Sequence, residues 1–137
     1  MAQATGKKRK ESFFTGAFSS FSVDDVADAK KFYGQTLGLD VTESDEGLQL
    51  AFDDGHAVFI YAKDDHEPAT FTVLNFNVDD IDKVVQELKG RGITFEAFTG
   101  ELETDNSNIF RGKDSGHGPN IAWFKDPAGN FLSVVQE

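Results

Sequence analysis

Three histidines, His56, His66 and His117, are the side chains of this 137-residue chain best suited to proton transfer or metal binding. Their spacing fits no compact metal-binding motif, and the absence of cysteine excludes a thiolate metal site, a cysteine nucleophile and a disulfide. We expect His56 and His66 to face the solvent. His117 lies in the glycine-rich stretch 115–118, where it is either solvent-facing or a general base or hydrogen-bond partner for a ligand.

The chain is strongly acidic: 13 Lys and Arg stand against 24 Asp and Glu, which gives a formal net charge of −11. Four basic residues are adjacent at Lys7, Lys8, Arg9 and Lys10, so the rest of the chain carries −15. A body this acidic repels nucleic acid and anionic membranes, and we expect neither as a partner. We interpret the basic cluster as part of a disordered tail over residues 1–11, with a nucleic-acid-binding arm or a targeting signal as the alternative.

Hydrophobic residues are distributed without any long apolar segment. The longest apolar runs are only a few residues, far short of the roughly 20 that a membrane-spanning helix needs. The first residues also lack the apolar core of a signal peptide, so we expect a cytoplasmic protein.

Two successive sets of elements can be predicted from apolar spacing and turn residues. In the first half, a helix follows Asp24 and Asp25 and ends at Gly38; in the second, a helix follows Asp79 and Asp80 and ends at Gly90. Residues 99–118 form a polar loop with a short strand near Ile109. The other predicted strands cover residues 12–23, 39–42, 48–52, 56–63, 70–78, 93–98, 120–125 and 131–136.

The two sets are copies of one pattern. Residues 22–26 (SVDDV) match residues 77–81 (NVDDI) at an offset of 55 positions, and both copies have the order strand–helix–strand–strand–strand. We therefore predict an α+β fold of two βαβββ modules, covering about residues 12–67 and 68–137 of a single domain. Side by side, the modules would form one cupped mixed sheet with both helices on its convex face.

Several stretches resemble the vicinal oxygen chelate superfamily, which includes glyoxalase I, the extradiol dioxygenases and the bleomycin resistance proteins. The resemblance implies paired βαβββ modules, a cupped sheet and commonly a dimer, so we expect a homodimer. The matching stretches are residues 21–25 (FSVDD), 31–33 (KFY), 37–39 (LGL), 78–81 (VDDI) and 122–131 (AWFKDPAGNF).

The same resemblance implies where a metal would be held. Metalloenzymes of the superfamily use inward-facing His, Gln or Glu on four strands, and the matching positions here are Phe18, Phe59, Val73 and Ser133. Phe and Val have no lone pairs, and a single hydroxyl is a poor ligand without a carboxylate or imidazole beside it. We therefore expect no metal and no other cofactor.

Strand alternation then predicts an aromatic and apolar cup with a few neutral polar groups. Such a lining is typical of a small-molecule pocket, and the acidic body favours a cationic ligand. The alternatives are that the aromatic rings fill the cup completely, or that they lie at a dimer interface. The candidate ligand-binding residues are Phe18, Phe59, Tyr61, Phe71, Val73, Asn75, Trp123 and Ser133, with Arg111 and His117 at the rim.

The leading hypothesis is a metal-independent binding protein of the glyoxalase/bleomycin-resistance type, which sequesters an aromatic or apolar molecule without chemistry. Two enzymatic alternatives stay open. One is a metal-free lyase, isomerase or hydrolase using His117, Tyr61, Arg111 or an acidic residue of the long loop, although no base–nucleophile pair is visible. The other is a glyoxalase-like metalloenzyme with ligands at other positions.

Overall fold

Two four-stranded mixed sheets form the framework of the protein, whose computed structural model describes residues 13–137. The first sheet has the order β1-β4-β3-β2, with β1 parallel to β4 and the other neighbours antiparallel. Its strands are β1 (Ser19–Val23), β2 (Asp40–Ser44), β3 (Gly47–Ala51) and β4 (Ala57–Ala62).

The second sheet repeats this topology. Its order is β5-β8-β7-β6, with β5 parallel to β8. Its strands are β5 (Thr72–Asn77), β6 (Phe110–Arg111), β7 (Asn120–Lys125) and β8 (Phe131–Gln136).

The helices of the two modules begin in the same way. Helix α1 (Val26–Lys30) is capped by Asp25, whose carboxylate accepts the backbone N–H of Asp28; Asp80 caps α2 (Ile81–Gly90) by accepting from Lys83. After α1 the chain continues as a π-helical segment, Lys31–Thr36. A 3₁₀ turn (Gly100–Leu102) and a four-residue helix, α3 (Gly112–Ser115), interrupt the long loop.

The predicted α+β class and the two βαβββ modules are confirmed, with two differences in detail. The strands form two hydrogen-bonded sheets rather than one continuous sheet. The strand predicted at 93–98 is wrong: Ile93 and Phe95 are buried, but Phe95 forms only an isolated bridge with Phe124. The short strand near Ile109 exists as β6 and takes its place.

The predicted tail over residues 1–11, with its Lys7–Lys10 cluster, lies outside the residues that the structure describes. The limits of the two modules, residues 12–67 and 68–137, stay a prediction. Across residues 13–137, no helix is both long and apolar enough to cross a membrane.

Both sheets turn one face toward a shared core. Phe21 and Val23 of β1, Leu74 of β5 and Leu132 of β8 belong to one cluster of buried apolar side chains together with residues of both helices. In each sheet it is the helix-facing set of side chains that is buried, as alternation predicted for β1 and β5. The modules are therefore held together by their helix-facing sides.

A buried polar network lies within this core. The Tyr33 hydroxyl donates to Asp126 at 2.7 Å, and Asn130 donates from its side-chain amide to Asp126 at 3.1 Å and to the Ser22 carbonyl at 2.9 Å. Tyr33 is fully buried and Asp126 nearly so. Burial, reinforced by the Asp126 carboxylate, raises the pKa of Tyr33 far above its usual value.

His66 also joins the modules, contrary to the expectation that it faces solvent. Its Nδ1 lies 2.7 Å from Ser22 Oγ and its Nε2 lies 3.1 Å from the Ala128 carbonyl oxygen. Because a carbonyl can only accept, Nε2 carries a proton and donates. His56, in contrast, is exposed as predicted.

Replacing Tyr33 by Phe removes one hydrogen bond to a buried carboxylate, and we expect a loss of about 1–3 kcal/mol in unfolding free energy. Tyr61→Phe is the control, because within residues 13–137 the Tyr61 hydroxyl makes no hydrogen bond. Chemical denaturation at neutral pH measures both.

The same pair of proteins gives a pH dependence. Since the pKa of Tyr33 is raised in the folded state, its contribution is complete below the unfolded value of about 10 and is lost as pH rises above it. The stability difference between wild type and Tyr33→Phe should therefore narrow between about pH 9 and pH 11. A difference that stays constant over this interval contradicts the assignment.

Candidate functional site

One group of aromatic side chains lies on the first sheet, on the side away from the core. Phe59 and Tyr61 of β4 stack with ring centroids 6.2 Å apart and an interplanar angle of 17°. Phe18, just before β1, is 70% exposed. Phe18 and Phe59 line an open concavity of about 390 Å³ together with Glu46 and Gln49. We call Phe18, Phe59 and Tyr61 the first aromatic face.

A second group lies on the second sheet. Trp123 of β7 meets Phe98 edge to face, with ring centroids 5.3 Å apart and an interplanar angle of 83°. With Phe71 and Phe131, these rings wall a concavity of about 500 Å³, whose rim carries Glu101. Phe71 is 68% exposed. We call Phe71, Phe98, Trp123 and Phe131 the second aromatic face.

A polar pair lies on the same side of the second sheet. Asn75 of β5 is opposite Ser133 of β8 in the parallel ladder, and the Ser133 hydroxyl donates to the Asn75 side-chain carbonyl at 2.5 Å. The register shifts between Thr72 and Leu74, so Val73 is the extra residue of a β-bulge and is half-buried. The buried Ser133 hydroxyl is thus already engaged within the sheet.

The two predicted rim residues lie in a separate concavity of about 280 Å³. Arg111 binds Asp82 at 2.6 Å and Asp105 at 2.8 Å, and these hydrogen bonds raise the pKa of the guanidinium. His117 is exposed, with Nδ1 3.1 Å from Ser115 Oγ. Glu101 lines both this concavity and that of the second aromatic face, so the two adjoin.

The predicted site residues are therefore divided among three places. Phe18, Phe59 and Tyr61 lie on one sheet; Phe71, Val73, Asn75, Trp123 and Ser133 lie on the other; Arg111 and His117 lie beside the long loop. Sequence reasoning missed Phe98, Glu101 and Leu102 as lining residues. The sequence predicts a strand over residues 93–98 and a polar loop over residues 99–118, and neither pattern indicates a ligand-binding wall. The edge-to-face contact of Phe98 with Trp123 places this stretch beside the concavity.

The four positions that the resemblance assigns to metal ligands carry side chains that do not suit a metal. Phe18, Phe59 and Val73 offer no donor atom, and the Ser133 hydroxyl is bonded to Asn75. Within the described part of the chain, no group of three or more His, Asp or Glu side chains is placed to hold an ion.

Comparison with known proteins identifies the family of this chain. The family model described as Glyoxalase/Bleomycin resistance protein/Dioxygenase superfamily matches residues 17–134. The chain belongs to this superfamily. The resemblance to vicinal oxygen chelate proteins, which rests on stretches such as residues 21–25, 78–81 and 122–131, is thus confirmed. No match was found among curated proteins.

Several solved structures share the fold of this chain at low sequence identity. TnmS3, an antibiotic binding protein from Streptomyces sp. CB03234, is 23% identical with a TM-score of 0.60, covering 88% of this chain and 95% of its own. A glyoxalase family protein from Enterococcus faecalis is 22% identical with a TM-score of 0.62, covering 90% and 99%. A superfamily member from Sphaerobacter thermophilus is 23% identical with a TM-score of 0.61, covering 89% and 98%.

The Arg111 ion pairs generate a prediction for Arg111→Met. Hydrogen bonding to Arg111 lowers the pKa of Asp82; burial would raise that of Asp105, but Arg111 and the backbone N–H groups of Ile109 and Ser107 lower it on balance. The stabilisation is therefore present above the unfolded carboxyl pKa of about 4 and is lost as pH falls below it. Wild type should exceed Arg111→Met in unfolding free energy at pH 7, and the difference should narrow as pH falls below about 4.

Lys83→Met is the matched control, because within residues 13–137 the Lys83 side chain has no ion-pair partner. Denaturant unfolding across this pH range measures all three proteins. A wild-type advantage over Arg111→Met that persists unchanged at low pH would show that lost packing, rather than lost charge pairing, is the cause.

Proposed function

We propose that this protein binds a small aromatic molecule without a metal and without catalysing a reaction, at the second aromatic face. The observation that carries the proposal is the concavity of about 500 Å³ walled by Phe71, Phe98, Trp123 and Phe131. Its volume falls within the range of roughly 300–1,000 Å³ typical of small-molecule pockets.

The chemistry of the walls favours a flat, cationic ligand. Exposed aromatic rings can stack on a planar molecule or hold a cation over their faces. Glu101 at the rim supplies a carboxylate, and the net charge of −11 adds a long-range preference for cations. Thr70, Thr72 and Thr99 provide hydroxyl groups that can orient the ligand.

Metal independence is part of the proposal and has separate support. Phe18, Phe59, Val73 and Ser133 stand where superfamily metalloenzymes place their ligands, and none of the four can replace a carboxylate or imidazole. His117 lines the concavity beside the long loop and not that of the second aromatic face, so the proposal gives it no role as a general base toward a ligand bound there. A binding role is in keeping with the antibiotic binding protein TnmS3, whose fold this chain shares.

We further propose a homodimer. Phe18 of the first aromatic face and Phe71 of the second are about two-thirds exposed, which is unusual for large apolar side chains grouped with other rings. A twofold axis that brings the first aromatic face of one chain onto the second aromatic face of its partner would enclose two equivalent sites. Both faces would then contribute to ligand binding.

Binding can be measured by quenching of Trp123, the single tryptophan, with 9-aminoacridine as a flat aromatic cation. We expect saturable quenching, and Phe71→Ala should weaken binding about threefold to tenfold because one stacking surface is lost. Anthracene-9-carboxylate, with a similar ring system and the opposite charge, should bind more weakly.

Phe13→Ala is the matched control, since Phe13 is fully exposed and lines neither aromatic face. The proposal fails if a panel of planar cations and neutral aromatics produces no saturable response, or if Phe13→Ala weakens binding as much as Phe71→Ala.

The dimer is tested by light scattering during gel filtration. We expect a mass about twice the 15.1 kDa of the chain, and Phe18→Asp should shift it toward the monomer because a charge is placed in an apolar contact. Phe13→Asp should leave the mass unchanged. A mass of 15.1 kDa for wild type at high protein concentration contradicts the homodimer without affecting binding at the second face.

A further inference from the structure

A fourth cavity, of about 460 Å³, lies between the two modules on the helix-facing side of the second sheet. We call it the inter-module cavity. It shares no lining residue with the concavity of either aromatic face. Apolar side chains from both modules form its wall, among them Leu37, Leu39, Phe52, Phe76, Val84 and Leu88.

The internal repeat explains why this space is open. At the offset of 55 positions, Leu88 of α2 corresponds to Tyr33. Tyr33 is fully buried and extends to Asp126, filling its side of the module interface. Leu88 is shorter than a tyrosine and carries no hydroxyl, so it cannot form the equivalent hydrogen bond to the hairpin of the first module.

The hairpins facing these two positions are also equivalent. Phe52 donates its backbone N–H to the His56 carbonyl just as Asp126 donates to that of Asn130, and Gly55 and Gly129 have φ of +85° and +89°. Phe52 therefore stands where the other hairpin has Asp126. Leu88 and Phe52, which both line the cavity, therefore stand at the positions of the hydrogen-bonded Tyr33 and Asp126, and they make this part of the wall apolar.

The opening of the cavity is acidic. Asp53 and Asp54 line it together with His56 and Asn77. The Asp54 carboxylate accepts the backbone N–H of His56 at 2.9 Å, whereas within residues 13–137 the Asp53 carboxylate has neither a hydrogen-bond donor nor a cationic partner. An apolar interior with an unpaired carboxylate at its mouth is complementary to a compact apolar body that carries one positive charge.

We propose that the inter-module cavity is a second ligand site, which takes a compact apolar amine with its hydrocarbon body against Leu88 and Phe52 and its ammonium group near Asp53. The site differs from the aromatic faces in its selectivity. It accepts aliphatic amines that cannot stack on Trp123, and it is formed within one chain.

The test uses 1-adamantanamine as the probe and 1-adamantanecarboxylate as a probe of the same shape and opposite charge. Methyl NMR of the full chain should show saturable shifts at Leu88 and Val84 with the amine, and calorimetry gives its affinity. Leu88→Phe should weaken binding at least about tenfold because the larger side chain occupies the cavity.

Asp53→Asn provides a second variant that is not expected to disturb folding, since Asp53 is exposed. It should weaken amine binding about twofold to fivefold, as expected for one exposed charge pair. Its matched control is Asp114→Asn on α3. This helix packs on β7, which is not adjacent to β5 in the sheet, and Asp114 does not line the inter-module cavity. Asp114→Asn and Phe71→Ala should both leave the affinity within about twofold of wild type.

Four results overturn the proposal. One is the absence of saturable amine binding up to about 10 mM, which corresponds to negligible affinity. Another is equal binding of the carboxylate, and a third is methyl shifts centred on the surroundings of Trp123 and Tyr61. The fourth is a change of oligomeric mass on Leu88→Phe, which would identify the cavity as a contact between copies. Weakened 9-aminoacridine binding in Phe71→Ala with unchanged 1-adamantanamine affinity separates this site from the aromatic face.

Discussion

The hydrogen bond from Tyr33 to Asp126 joins the two modules within their shared core. The placement of the two aromatic faces depends on this contact between the modules. Tyr33 lies in the helical segment of the first module, and Asp126 begins the hairpin between β7 and β8 of the second. Asp126 also accepts from Ala128 and Asn130, so each of its oxygens is satisfied without water. This contact keeps the helix-facing sides of both sheets together in one core and leaves the opposite sides for the aromatic faces.

A core of this kind explains why the aromatic rings divide into two populations. Phe21, Phe95 and Phe124 are buried between the modules, where they stabilise the fold by removing apolar surface from water. Phe18 and Phe71 share the same residue type but are mostly exposed, because their positions fall on the other side of their sheets or at strand ends. Grouped apolar side chains that are exposed commonly mark a surface that a ligand or a partner covers. The proposed ligand site and the proposed dimer contact therefore involve the same aromatic faces.

Much of this architecture was predictable from the sequence, because the repeat supplies each element twice. The boundaries of β7 and β8, the Asp25 and Asp80 helix caps, and the alternation of β1 and β5 follow directly from residue type and spacing. The absence of a regular strand at 93–98 was not predictable, because the sequence does not show that only Phe95 finds a bridge partner there. The partial burial of His66 was not predictable either, because it depends on a carbonyl in the other module, 62 positions away.

The site was predictable only in part, for a physical reason. Alternation reports which side of a sheet a residue occupies, but not whether two sheets join. Phe18 and Phe71 were therefore expected in one cup, whereas they belong to separate sheets and separate concavities. The inter-module cavity could have been suspected from Leu88 standing at the position of Tyr33, but its volume depends on how the hairpin at Phe52 packs.

The central claim is that a small aromatic molecule binds at the second aromatic face with no metal taking part. Calorimetric titration of 9-aminoacridine into the protein, first with excess EDTA and then with added zinc, nickel or manganese, tests it most directly. The account predicts the same affinity and stoichiometry in every condition. Binding that disappears in EDTA and returns with one of these ions would contradict it.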